Sequence, residues 1–304
     1  MPEKKKARHS KNARGGARLY RAAFLAVLAL VVLAAVYIVK FYRERSETEA
    51  LNAQLHALLV TAEPSASAQP SPTPAPQATV SGGAQIVAYP TPPSEIRKEF
   101  KGLHDLNSDL IGRLYIPTDT EHSPIDQFVL KRDNEYYLTH DFYGEKRKSG
   151  AVFMDEANEI WPQDQHMILY GHNMKNGTMF ARLTQYSTIK YAARNPFVYF
   201  DTIYETGTYV VLAAMRLPAK ETMTPSFNIR TFFFGDASFN SFLYAIRERA
   251  LYVTTVGADA NDQLLSLVTC SYNENDERFI LITRRLRENE TEDDIRALIK
   301  GSNK

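Results

Sequence analysis

The sequence predicts a mainly β protein: one closed sheet of about eight strands with peripheral helices, preceded by a membrane-spanning helix. Three observations carry this. From Leu110 onward, short apolar runs rich in Val, Ile, Phe, Tyr and Thr recur between turn-forming residues. Few stretches show helical spacing, and no internal repeat is present. Near the N-terminus, Ala22 to Val39 is an uncharged run of 18 residues, long enough at ~1.5 Å per residue to cross a bilayer core.

The N-terminal region is organised around that run. Residues 1–21 form a basic tail with eight Lys/Arg against one Glu, a local +7; since the chain totals +1, the remainder carries about −6. The folded part is therefore no general polyanion binder, and no nucleic-acid partner is predicted. By the positive-inside rule the N-terminus is cytoplasmic and everything after Val39 extracellular. A cleaved signal peptide is the rival reading, disfavoured by Lys40, Phe41, Tyr42 and Arg43 directly after the run. Residues 22–39 are assigned to the transmembrane helix and 40–60 to a juxtamembrane helix, with Leu51, Leu55, Leu58 and Leu59 on one side. That helix reads equally as an extension of the membrane helix. Residues 61–94, dense in Pro, Ser and Ala, read as a linker that could extend ~100 Å as polyproline II at ~3.1 Å per residue.

A single domain occupies 95–304. Ser94 is the expected cap of a helix through IRKEFKGLHDL. Strands are expected at LIGRLYIP, IDQFVLK, YYLTHDF, SGAVFMD, HMILYG, PFVYFDT and TYVVLAAMRL, and two more flank the turn in QLLSLVTCSYNENDERFILITRRL. Short helices are expected at TMFARLTQY and STIKYAARN. Phe239, Phe242, Leu243 and Ile246 mark an amphipathic helix over Ser238–Ala250 capped by Ser238, and Thr291 caps a terminal helix.

The chemistry gathers around Cys270, the only cysteine. One cysteine forms no intramolecular disulfide, and outside the cytoplasm a lone thiol is a candidate nucleophile; the alternative is a buried packing residue. It ends one apolar run, Arg278 opens the next, and His172 follows a strand and a glycine, so a Cys270/His172/Arg278 site is predicted. A metal hydrolase would need clustered His and carboxylate ligands, whereas His166 and His172 stand six apart with no HExxH. Taken alone, His172 reads as a loop histidine more readily than as a catalyst, and His104, His122, His140 and His166 read as loop histidines in the same way. A papain-like order would place Cys before His; here His precedes by 98 residues.

Three stretches, DNEYYLTHDFYGEKRKSGAVFMDEAN, HMILYGHNMKNGTMFARL and LVTCSYNENDERFILITRR, resemble the sortases, cysteine transpeptidases of Gram-positive cell surfaces, and class B in particular. The resemblance implies an eight-stranded sortase-type β-barrel. It also implies Cys270 as nucleophile, His172 as general acid/base and Arg278 as the group that holds the substrate carbonyl or oxyanion. Asn134 and Leu138 fall where the family lines its sorting-signal groove, and Thr269 and the Ser271 backbone adjoin the nucleophile. Val268 replaces a serine common in class B. The implied partners are secreted proteins with a C-terminal sorting motif, a peptidoglycan precursor or pilin amine as acceptor, and the membrane. No metal or cofactor is predicted. Pilin polymerisation and an inactive, membrane-tethered binding ectodomain are the alternatives.

Overall fold

The computed structural model describes residues 4–59, 91–118, 123–231, 235–270 and 276–301. Its strands are β1 (Leu110–Ile116), β2 (Ile125–Leu130), β3 (Val152–Met154), β4 (His166–His172), β5 (Phe197–Thr202), β6 (Thr208–Pro218), β7 (Met223–Thr224), β8 (Phe227–Asn228), β9 (Ala250–Val253), β10 (Leu264–Cys270) and β11 (Glu277–Arg285). The helices are α1 (Lys4–Leu58), α2 (Lys98–Leu106), α3 (Ile189–Arg194), α4 (Asp236–Arg249) and α5 (Glu292–Gly301).

Eight strands close into a barrel in the order β11-β10-β4-β3-β2-β1-β5-β6, sealed by the β6–β11 pairing. Closure removes the open edges that an eight-stranded sheet would otherwise expose. β9 is an addition to the ring: it pairs with Ala213–Met215 of β6, beyond Val210, where the pairing of β6 with β5 ends. The two parallel pairings are β2–β3 and β4–β10.

The wall sorts its side chains by alternation, because successive residues of a strand face opposite sides. On β4, β10 and β11 the inward set is Met167, Leu169, Leu265, Leu267, Phe279 and Leu281, which joins the barrel-filling cluster. The outward set, Ile168, Leu264, Val268, Ile280 and Ile282, packs beneath Phe239, Phe242, Leu243 and Ile246 of α4. With both faces buried, these strands read as continuous apolar runs. α5 covers a smaller cluster of Phe197, Val210, Val256, Ile295 and Ile299.

Local structure departs from the sequence expectations at several points. YYLTHDF is not a strand: Tyr136–Leu138 is one 3-10 turn. Asp133 decides this, because its Oδ1 accepts the Glu135 and Tyr136 backbone N–H groups at 2.9 and 2.7 Å and bends the chain against the β preference of the tyrosines. α2 starts at Lys98, after Arg97 rather than after Ser94. α4 starts at Asp236 behind Gly235, whose φ of 84° no cap serine shares; the Ser238 hydroxyl donates to the Gly235 carbonyl instead. TMFARLTQY forms a 3-10 segment, Ala181–Ser187. Thr291 caps α5 as expected, with the Asp294 N–H donating to its hydroxyl.

The chain divides into two compact units, residues 1–49 and 50–304. In the first, α1 carries the one helix among the described residues long and apolar enough to cross a membrane, with Phe24, Leu30 and Leu33 exposed. Within the second, the last turns of α1 pack on the barrel. Leu55 is buried, Leu51 and Leu59 join the inner cluster, and Asn52 donates to the Asp126 carbonyl at 3.2 Å. The His56 ring lies 4.9 Å from that of Phe128. The helical reading of 40–60 thus merges into one continuous α1 that ends at Leu58.

Candidate active site

The site is built by register. β4 and β10 pair in parallel, with Cys270 directly opposite His172. β10 and β11 pair antiparallel through Val268 and Ile280, and two further steps along that register set position 270 across from 278. Positions 166, 168, 170 and 172 of β4, 264 to 270 of β10 in steps of two, and 278, 280 and 282 of β11 share the outward face. The three predicted residues therefore meet at one end of three adjacent strands. Thr269, one step off, is buried, and its hydroxyl accepts the Phe279 N–H at 2.9 Å. It ties the strand of Cys270 to the strand of Arg278 one residue from each.

His172 is nearly buried. Its Nε2 lies 2.7 Å from the Leu138 carbonyl. A carbonyl only accepts, so Nε2 carries a proton in both charge states and Nδ1 is the nitrogen that gains and loses one. Burial pushes the imidazole pKa below its ordinary value, the Leu138 bond opposes this, and the nearby Arg278 charge lowers it further. Its ordinary pKa already lies below 7, so the neutral ring prevails near neutral pH.

Arg278 is about a quarter exposed, and its Nη2 lies 3.5 Å from Oδ1 of Asp276, which is 68% exposed. A contact that long, to a solvated carboxylate, leaves most of the guanidinium charge available to a ligand. Leu138 and Asn134 both sit on the connection between β2 and β3. Leu138 is half-buried beside His172, whereas the Asn134 Oδ1 accepts the Glu156 N–H at 2.9 Å. Ser271 lies outside the described residues.

Two features were missed from sequence. Tyr170, on the same strand face as His172, donates to Asp155 Oδ2 at 2.9 Å. Asp155 is fully buried and also bonds Arg230 at 2.8 and 2.9 Å, so the segment after β8 is tied to the His172 strand. The period-two spacing of Tyr170 and His172 was the available signal. The second is the glycine of YGH: a Cβ on Gly171 would stand 2.8 Å from the Phe180 ring, which packs flat against the strand just before the histidine. His166 is no loop histidine. It opens β4, buried, with Nε2 2.7 Å from Ser266 Oγ and Nδ1 3.2 Å from the Thr231 carbonyl.

A family model of the sortase domain matches residues 125–286, just over half of the chain. The chain belongs to the sortase family. Sortase B of Listeria monocytogenes is 33% identical over 188 residues, spanning 60% of this chain and 72% of that protein. Sortase B of Staphylococcus aureus is 27% identical over 191 residues, 62% and 75% of the two chains. Among solved structures, sortase B from B. anthracis in complex with AAEK1 superposes with a TM-score of 0.62 at 26% identity, covering 81% of this chain and all of the other. A Staphylococcus aureus sortase B–substrate complex gives 0.57 at 26% identity, covering 64% and 88%. The class B resemblance and the sortase-type barrel are borne out, and the protein is a sortase-type cysteine transpeptidase.

Proposed function

We propose that this sortase is held in the cell membrane by the apolar part of α1, N-terminus in the cytoplasm and barrel outside, and joins secreted proteins to a cell-wall amine. Cys270 is the nucleophile. Its thiolate attacks the carbonyl of a threonine in a C-terminal sorting motif, and Arg278 holds the oxygen on which negative charge develops. The C–N bond breaks as His172 Nδ1–H gives its proton to the departing amine, leaving a Cys270 thioester. An acceptor amine, from a peptidoglycan precursor or a pilin lysine, then attacks the thioester. His172 Nδ1 takes the amine's proton as the thiolate leaves. Asn134 and Leu138 line the motif groove, and the Ser271 N–H is a second oxyanion donor.

The observation that carries this reading is the register that sets Cys270 beside His172 and across from Arg278 at one strand end. The full-length chain in detergent, mixed with a panel of sorting-motif peptides and followed by mass spectrometry, tests it. The expected result is an acyl adduct on Cys270 that an added amine discharges as ligated peptide, absent in Cys270→Ala. A readily alkylated Cys270 that forms no adduct with any peptide of the panel would overturn the proposed motif chemistry.

A further inference from the structure

His172 is oriented by a main-chain group, the Leu138 carbonyl, and that carbonyl is crowded by one residue with no assigned role. Gly150 follows the turn that closes the β2–β3 connection. Its N–H donates to the Arg147 carbonyl at 3.1 Å, and the next N–H, of Ala151, donates to the Tyr137 carbonyl at 2.9 Å. The two passes of chain are thereby laid against each other. A Cβ at Gly150 would fall 2.2 Å from the Tyr137 oxygen, 2.8 Å from the Leu138 oxygen and 2.9 Å from the Leu138 carbonyl carbon. These are backbone atoms that cannot rotate away as a side chain would. The Gly150 φ of 54° is left-handed as well, so a side chain there meets both a steric and a conformational penalty.

We propose that Gly150 is a positioning residue for His172. By presenting only hydrogen to the Tyr137 carbonyl and to the Leu138–Thr139 peptide, it lets the Leu138 carbonyl stand where it holds Nε2–H of the ring and leaves Nδ1 as the proton-transfer nitrogen. Any larger residue must push that peptide away. The hold on Nε2 then weakens, and the ring samples the tautomer that carries its proton on Nδ1 and has no lone pair there to receive one from the acceptor amine. The catalytic consequence rests on the acid/base role given to His172 above; the geometric one does not.

The experiment uses the full-length chain in detergent with histidine labelled with ¹⁵N in the ring, the His172 resonances assigned by their loss in His172→Gln. Wild type should show Nε2 protonated and Nδ1 titrating. Gly150→Ala should give a mixed-tautomer signature for His172, a displaced acidic limb in the pH profile of kcat/KM, and a fall in kcat of tenfold or more with KM within about threefold. Gly235→Ala is the control for left-handed strain alone, since Gly235 has a φ of 84° and nothing within 4 Å of the place a methyl would take; it should leave the His172 signature unchanged. Wild-type His172 protonated on Nδ1 at high pH would overturn the inference even if Gly150→Ala failed to fold. So would a folded Gly150→Ala with the wild-type tautomer and pH profile. Absence of a Cys270 adduct in wild type would sink the catalytic reading, while the ring signature would still decide the positioning.

Discussion

The β4–β10–β11 wall and the β2–β3 connection both reach His172, and they do so by different means. The wall places residues by register: each strand is buried on both faces, and a slip of one residue in β11 would turn position 278 inward while turning Leu281 to the α4 side. The connection has no such periodicity. Besides the buried Tyr137 and Phe142, individual hydrogen bonds fix it: two backbone N–H groups donate to the Asp133 carboxylate at its start, and the Ala151 N–H donates to the Tyr137 carbonyl at its end. In the proposed mechanism the wall supplies the reacting groups, and the connection selects which nitrogen of His172 reacts. Position and proton state are thus set by separate parts of the fold and can be perturbed separately.

The largest expected effect is in the wall. Arg278→Lys keeps the charge but loses the planar fork, and kcat/KM should drop ~10²–10³-fold; a loss under fivefold would remove Arg278 from the oxyanion role. Next is the buried His166, whose pKa burial drives down to about 4. The folded state keeps it neutral while the unfolded chain binds a proton below about 6.5, so its stabilising contribution is fully present above that pH. It is lost progressively as the solution is acidified toward about 4, roughly 3 kcal/mol in all. Urea midpoints measured across that window should fall with pH in wild type and flatten in His166→Gln. Thr269→Val strands the buried Phe279 N–H and should cost ~1–3 kcal/mol in urea unfolding, with kcat falling because the Cys270 and Arg278 strands lose their tie.

Two smaller effects sharpen the contrast. Leu138→Ala shortens the side chain but keeps the carbonyl, so KM for a sorting peptide should rise about tenfold while the pH profile set by His172 stays in place. A moved profile would mean that the side chain, not the carbonyl, positions the ring. Asp276→Ala removes an exposed partner 3.5 Å from Arg278 and should change kcat/KM by less than about twofold.

The wall was legible in the sequence and the connection was not. β4, β6, β10 and β11 announce themselves as apolar runs of strand length, and His172, Cys270 and Arg278 sit at run ends. YYLTHDF misleads because Tyr, Thr and Phe favour strands, while the decisive group is the Asp133 carboxylate just upstream, outside the run. The role of Leu138 in orienting His172 is unreadable in principle from side-chain identity, since every residue carries the same carbonyl. Only the contact made by Gly150 leaves a trace, as a glycine where an extended run was expected. Ser94 and Ser238 are good cap residues in the wrong places: α2 and α4 begin where Arg97 and Gly235 set the backbone, and cap preference alone does not fix a boundary. The leucines of the last turns of α1 were seen as one apolar side, but nothing in their spacing named β2 as a neighbour.

That docked end of α1 bears on the two flanks of the Pro-rich stretch, of which residues 60–90 lie outside the described residues. Leu59 precedes it and Ile96 follows it, and both pack on the same inner cluster. Its two ends are therefore held on one body, and its contour length does not become a separation between them. Lengthening a flexible connection between two ends fixed on one body costs only about 0.6 kcal/mol per doubling, so the seats of Leu59 and Ile96 on the barrel set little demand on the number of residues between them.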